Sequence, residues 1–177
     1  MLRCFLRLYR PSAAQCGVRL RMLSPLSNLG VSDSAAYLRC AIEVGLLDLD
    51  HAKEWAYGIV AELDIPPVEI IEVAGSNRRD DVVAKLSVVA KGANMPAAGI
   101  ALLAQIGLEL RAERRSLREA LALAMRVSEV AKLPEDIYQA FNGLDDALWL
   151  AEAGTYGNTE DIKRDVEEEF NRYTVVK

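Results

Sequence analysis

The stretch MPAAGIALLAQIGLELR (Met95–Arg111) is the most apolar part of the chain. Residues 92–108, which overlap it, contain no charged side chain. A run of that length approaches a membrane span, but alanine and glycine dominate it, and Asn94, Pro96 and Gln105 lower its hydropathy. We therefore expect a helix buried at the middle of a helical bundle, whose small residues let neighbouring helices approach closely.

Helical signals dominate the sequence on both sides of this stretch. Apolar residues recur at spacings of three and four, and glycines and prolines separate the periodic segments. Ser116, followed by Glu119, matches a capping-box pattern at a helix start. The connections between segments are about 2–6 residues long, which is typical of helical bundles. The sequence predicts an all-α, single-domain fold of roughly eight helices, arranged as a bundle or a stack of helical hairpins.

Glycine and tryptophan positions give two further expectations. Gly143 is expected to end one helix, and the next helix is expected to begin directly after it. Asp145 and Asp146 would then lie at a helix start, where carboxylates satisfy free amide groups. Trp55 and Trp149 lie among alanine and leucine, and both are expected in the core.

Charge divides the chain into two parts. Residues 1–31 hold five arginines and no acid, whereas residues 32–177 carry a net charge of −10. We expect residues 32–177 to form the helical domain and residues 1–31 to lie outside it. This basic leader has three interpretations: a spurious extension upstream of a start at Met22, a mitochondrial transit peptide, or a functional basic arm.

Cysteine usage indicates the compartment. Cys4 and Cys16 fall in the leader, which leaves Cys40 alone in the body. One cysteine cannot form an intramolecular disulfide, so we expect a reducing, cytoplasmic location, or a mitochondrial one if the leader is a transit peptide. Cys40 lies on an apolar helical face, where a buried and inert thiol is expected.

The sequence lacks most catalytic apparatus. His51 is the only histidine, and there is no Cys-x-x-Cys pair, zinc-ligand spacing or glycine-rich phosphate loop. We expect a non-enzymatic protein with no catalytic, cofactor-binding or metal-binding residue. A carboxylate-dependent magnesium enzyme that uses Asp145 and Asp146 is the minor alternative. The acidic body disfavours nucleic acid, and no membrane partner is expected.

The acidic C-terminal region is the candidate binding face. It predicts a protein–protein interaction module that binds a basic protein, and the alternative is a self-associating helical adaptor or regulatory protein. Tyr156 is expected to pack back on the bundle, with an exposed contact as the alternative. The candidate partner-binding residues are Asp145, Asp146, Tyr156, Asp161, Asp165, Glu167, Glu168 and Glu169.

Two stretches of the body also carry a resemblance. The first comprises Gly45-Leu46-Leu47, Trp55-Ala56, Pro66-Pro67 and Glu69-Ile70-Ile71-Glu72, and the second comprises Gly143-Leu144-Asp145-Asp146, Leu150-Ala151 and Tyr156-Gly157. In these positions, which bracket about residues 35–173, the chain resembles a group of small all-helical bacterial proteins of unknown function. The resemblance brings no catalytic residue with it. By size and acidity alone, the chain is also similar to immunity proteins that neutralise secreted toxins.

Overall fold

A computed structural model describes residues 29–174, and the basic-leader interpretations for residues 1–28 lie outside them. The described residues form eight α-helices and no strand, which confirms the predicted all-α, single-domain bundle. The helices are α1 Val31–Glu43, α2 Leu49–Glu62, α3 Val68–Gly75, α4 Arg79–Val89, α5 Met95–Arg111, α6 Leu117–Val130, α7 Glu135–Glu152 and α8 Thr159–Thr174.

Neighbours along the chain are mostly neighbours in space. Helix α2 packs on α3, α3 on α4, α5 on α6, α6 on α7, and α7 on α8. Helix α1 lies against both α4 and α5, and α5 also lies against α8. The contact of α1 with α5 therefore joins the first four helices to the last four.

Helix α5 is the central element, as the sequence predicts. Two of its glycines lie where a larger residue would not fit. A Cβ atom at Gly107 would lie 2.7 Å from the Cβ atom of Phe170 in α8, and one at Gly99 would lie 2.5 Å from that of Ala131. The small residues of α5 thus permit the close helix packing expected of them. Within residues 29–174, no helix combines the length and apolar character needed to cross a membrane.

The ends of the helices are defined by local chemistry. Gly45 and Gly154 have φ of 77° and 66°, the left-handed conformation that glycine adopts most readily after a helix. At the end of α1, Nη2 of Arg79 donates to the carbonyl oxygens of Ile42 and Glu43, at 2.9 and 2.7 Å. A side chain from α4 therefore caps the last carbonyl groups of α1, of which that of Ile42 also accepts from the amide of Gly45.

The predicted capping box is present at the start of α6. The amide of Glu119 donates to the hydroxyl oxygen of Ser116 at 3.3 Å, and the amide of Ser116 donates to Oε2 of Glu119 at 2.9 Å. The amide and, at 2.8 Å, the hydroxyl of Ser116 both donate to Oε2 of Glu119, and these two bonds lower the pKa of its carboxyl. The local pattern alone was sufficient to predict this helix start.

The predicted break at Gly143 is wrong. Helix α7 is continuous from Glu135 to Glu152, and a Cβ atom at Gly143 would meet no atom within 4 Å. A glycine inside a helix costs only about 1 kcal/mol, which burial of Phe141 and Leu148 on the core side of α7 offsets.

The predicted core position of Trp149 is also wrong, because its side chain is 61% exposed. In a continuous helix, Phe141 and Leu148 are seven residues apart and share one face. Trp149 follows Leu148 by one residue and is therefore turned about 100° away from the core. Trp55 is half-buried, and Cys40 is fully buried as predicted.

Candidate protein-binding surface

The C-terminal helix carries a stripe of acidic residues. Asp161, Asp165 and Glu168 are spaced four and three residues apart, so they lie on one face of α8. Beside this stripe, α7 and α8 form a cleft of about 280 Å³, here called the acidic cleft. Its lining residues are Ala140, Leu144, Asp165, Glu168, Glu169 and Arg172.

Two carboxylates of the acidic cleft are free to bind a partner. Asp165 and Glu168 are exposed, and neither makes a hydrogen bond or an ion pair with any residue among 29–174. Asp161, one turn earlier, pairs with Nη2 of Arg164 at 2.7 Å and accepts a bond from Asn158. Asp165 and Glu168 therefore carry negative charges that no described cation neutralises, whereas the charge of Asp161 is neutralised by Arg164.

Glu169 serves the fold rather than the surface. Its side chain is 10% exposed, its Oε1 accepts a hydrogen bond from the Tyr173 hydroxyl at 2.8 Å, and its Oε2 pairs with Nη1 of Arg172 at 2.9 Å. Burial, followed by the bond to Glu169, raises the pKa of the Tyr173 hydroxyl. The prediction that places Glu169 with the exposed acids is wrong. Consecutive helical residues differ in direction by about 100°, so Glu169 is buried although its neighbour Glu168 is exposed.

The other predicted residues lie away from the acidic cleft. Asp146 comes two residues after Leu144, about 200° around α7 from this lining residue, and Asp145 precedes it on the same helix. Glu167 is likewise two residues beyond Asp165 on α8. The structure therefore brings together only part of the predicted face.

Tyr156 lies in the connection between α7 and α8 and is 78% exposed. The expectation that it packs back on the bundle is wrong, and its exposed alternative is the one found. The backbone explains this position, since the amide groups of Thr155 and Tyr156 both donate to the carbonyl oxygen of Leu150. The turn is thus closed by its backbone while the aromatic ring faces solvent.

Trp149 is a surface residue that the sequence analysis placed in the core. It follows Asp145 by four residues and Asp146 by three, so these three side chains share one side of α7. Tryptophan is enriched at the centre of protein interfaces, and two carboxylates beside it favour a cationic partner. The seven-residue spacing of Phe141 and Leu148 was the signal that could have identified Trp149.

A basic cleft was also not predicted. It has a volume of about 470 Å³ and lies at the turn between α5 and α6. One of its cations is already engaged, because Arg115 pairs with Glu109, which is only 2% exposed. Glu109 also accepts a bond from Nε2 of Gln105 at 3.1 Å, so this ion pair belongs to the fold. The lining residues are Leu110, Glu113, Arg114, Arg115, Ser116, Leu117 and Lys163.

The magnesium alternative requires carboxylates that converge. Within residues 29–174, no group of three or more histidine, cysteine or acidic side chains is placed to hold a metal ion. His51 is half-buried, and its Nδ1 atom is buried without a hydrogen-bond partner in the described part of the chain. Asp145 is half-buried and Asp146 is exposed, and both lie inside α7, so the prediction that they start a helix is wrong.

No protein-family model matches the chain, and neither a curated protein nor a solved structure matches it. The resemblance to small all-helical bacterial proteins therefore stays a prediction.

Proposed function

We propose that this protein is a non-enzymatic interaction module that binds a basic segment of a partner protein through the acidic cleft. The observation that carries the proposal is the pair of exposed, unpaired carboxylates, Asp165 and Glu168, on one face of α8. An arginine or lysine of a partner would form the ion pairs with Asp165 and Glu168 that no described side chain forms. Charge complementarity of this kind speeds association and makes it sensitive to salt.

Buried packing of α7 and α8 prepares this surface for binding. Phe141 of α7 and Phe170 of α8 lie with ring centroids 4.9 Å apart, and both side chains are fully buried. Arg172 and Tyr173 engage Glu169, which leaves Asp165 and Glu168 without an ion pair among the described residues. A rigid base loses little conformational freedom on binding, which favours affinity.

A secreted toxin such as a basic nuclease is one partner with this chemistry, and the protein would then act as its immunity partner. The size and acidity of the chain support this form of the proposal. It predicts salt-sensitive association between the purified protein and the product of its neighbouring gene.

The acidic cleft can be tested with two matched double variants. Asp165→Asn with Glu168→Gln removes two charges at the cleft, whereas Asp80→Asn with Asp81→Asn removes two exposed charges from the first turn of α4. The probe is a ten-residue arginine peptide, and its dissociation constant is measured by fluorescence anisotropy at several salt concentrations. We expect the cleft variant to weaken binding about tenfold, roughly the loss of one charge-assisted contact.

The matched variant is expected to weaken binding less than threefold. An equal loss in both double variants would mean that only net charge matters, and the cleft assignment would then fail. Unchanged affinity in the cleft variant, or binding that does not weaken with salt, would also contradict the proposal.

A further inference from the structure

The hairpin of α2 and α3 exposes large apolar side chains that no described residue covers. Four of them fall within nine residues and are here called the hairpin patch: Leu63 is 46% exposed, Ile65 90%, Val68 65% and Ile71 44%. Single exposed apolar residues are ordinary, but a local group of them marks an interaction site more often than chance.

The hairpin patch is built into rigid backbone. Val68 and Ile71 are three residues apart and share the outer face of α3, whereas Ile70 and Val73 on its other face are buried. Ile65 precedes the two prolines at 66 and 67, which fix the backbone between the helices. The apolar side chains are therefore held in place before any partner arrives.

Acidic residues alternate with the apolar ones along this hairpin. Glu62, Asp64 and Glu69 are exposed, and none makes an ion pair or hydrogen bond within the described residues. The next acid, Glu72, is compensated by Nζ of Lys85 at 2.6 Å. The hairpin patch is therefore surrounded by three uncompensated negative charges.

We propose that the hairpin patch docks an amphipathic helix of a partner protein, with apolar side chains on the patch and lysine or arginine facing the acidic rim. A second copy of this chain fits less well, because a symmetric contact would place Glu62, Asp64 and Glu69 against the same three acids. The proposal stands independently of the acidic cleft, since the two surfaces lie on different helices.

The test uses the full chain and an 18-residue helical peptide of leucine and lysine with one apolar face. A peptide of the same pattern with glutamate in place of lysine is the charge control. We expect the lysine peptide to bind in calorimetric titrations and the glutamate peptide not to bind. Hydrogen exchange of the complex should show protection of the amides of residues 63–71.

Two matched variants locate the contact. Ile65→Ser with Val68→Ser should weaken binding of the lysine peptide at least tenfold. Val88→Ser with Leu108→Ser, which alters two other exposed apolar residues, should leave it within twofold. The triple variant Glu62→Gln, Asp64→Asn and Glu69→Gln retains the apolar side chains and should also weaken binding, most strongly at low salt.

Several results would overturn the proposal. One is equal binding of the glutamate peptide, and another is unchanged affinity in both patch variants. Sedimentation that shows a dimer lost on Ile65→Ser with Val68→Ser would assign the patch to a second copy. Protection of the Asp64 and Ile65 amides in the free monomer, which have no backbone acceptor among the described residues, would mean that the chain itself covers the patch. Asp165→Asn with Glu168→Gln should not alter protection at 63–71, which separates this proposal from that of the acidic cleft.

Discussion

The first four helices and the last four differ in where carboxylates are buried and in how exposed apolar side chains are grouped. Helices α5–α8 bury two carboxylates, Glu109 and Glu169, which are 2% and 8% exposed, whereas α1–α4 bury no charged residue. The connection of α2 to α3 and the outer face of α3 instead leave apolar side chains in solvent, with Ile65 of the connection 90% exposed.

The two halves differ because only the C-terminal half has arginines beside its buried carboxylates. An arginine lies close to each buried carboxylate in the C-terminal half, and charge-assisted bonds then offset the cost of removing it from water. In the N-terminal half, the short helix α3 has eight residues and buries only three of them, Ile70, Val73 and Ala74. Its remaining large apolar residues, Val68 and Ile71, are 65% and 44% exposed among the described residues. We therefore expect substitutions at the buried ion pairs of α5–α8 to affect stability and those at the hairpin patch to affect binding.

The largest effect is expected from Arg115→Met, which leaves the Glu109 carboxylate buried without its cation. Removing one partner of a buried ion pair costs about 3–5 kcal/mol of unfolding free energy. The matched control is Arg118→Met, since the pair of Arg118 with Glu152 is about half exposed on both sides. This control should cost less than about 1 kcal/mol. The free energy of unfolding of both variants is measured by urea denaturation.

A second variant distinguishes the buried charge from lost packing. Arg115→Met combined with Glu109→Gln should recover part of the stability, because no uncompensated charge is then left inside. Similar losses for Arg115→Met and Arg118→Met would show that the burial of Glu109 has no special energetic role.

The next largest effect concerns the glycines of the C-terminal half. Gly107→Ala should destabilise the fold by about 1–3 kcal/mol, because its new Cβ atom would displace Phe170 in α8. Gly143→Ala adds the same methyl group where nothing lies within 4 Å, so it should stabilise α7 by about 0.5–1 kcal/mol. Thermal unfolding should show a lower melting temperature for Gly107→Ala and a higher one for Gly143→Ala. Equal signs would contradict the close packing of α5 on α8.

The sequence predicted the features that depend on local pattern. The uncharged run at 92–108 indicated the buried central helix, and Ser116 with Glu119 indicated the cap of α6. The glycines that separate the periodic segments indicated helix ends, and Gly45 and Gly154 do end helices, because a left-handed residue after a helix is a local property. These features need no knowledge of what lies across the bundle.

Features that depend on packing between helices were harder to predict from the sequence. Gly143 has the same local signal as the other stopping glycines, but burial of Phe141 and Leu148 along one face carries α7 through it. The partners of Glu169 are local, since Arg172 and Tyr173 follow it by three and four residues on α8, but which face of α8 is buried depends on its packing against α5 and α7. Part of the candidate binding face could therefore be predicted, but which acids were free could not.

Alkaline pH should weaken the fold through α1. Burial raises the pKa of the Cys40 thiol from its ordinary value of 9.0 to about 11. Because the folded pKa lies above the unfolded one, the contribution to stability is complete below about pH 9 and is lost as pH rises toward 11. The loss approaches about 1.4 kcal/mol per pH unit for one group.

The matched variant for this prediction is Cys40→Ala, which removes the titrating group. Urea unfolding under reducing conditions between pH 8 and 10.5 should give a shallower pH dependence for the variant. Burial also raises the pKa of the Tyr37 hydroxyl, so Tyr37→Phe should reduce the loss at the upper end of this range. An unchanged slope in Cys40→Ala would show that this thiol does not contribute.

The smallest effect on stability is expected at the hairpin patch itself. Ile65→Ser should change the free energy of unfolding by less than about 0.5 kcal/mol, because a side chain that is 90% exposed gains little from folding. Val88→Ser, at a position 43% exposed on α4, should cost somewhat more because more than half of that side chain is covered. Urea unfolding at equal protein concentrations compares the two. A loss above about 1 kcal/mol for Ile65→Ser would mean that Ile65 is covered in the folded protein, and the contrast between the two halves would no longer hold there.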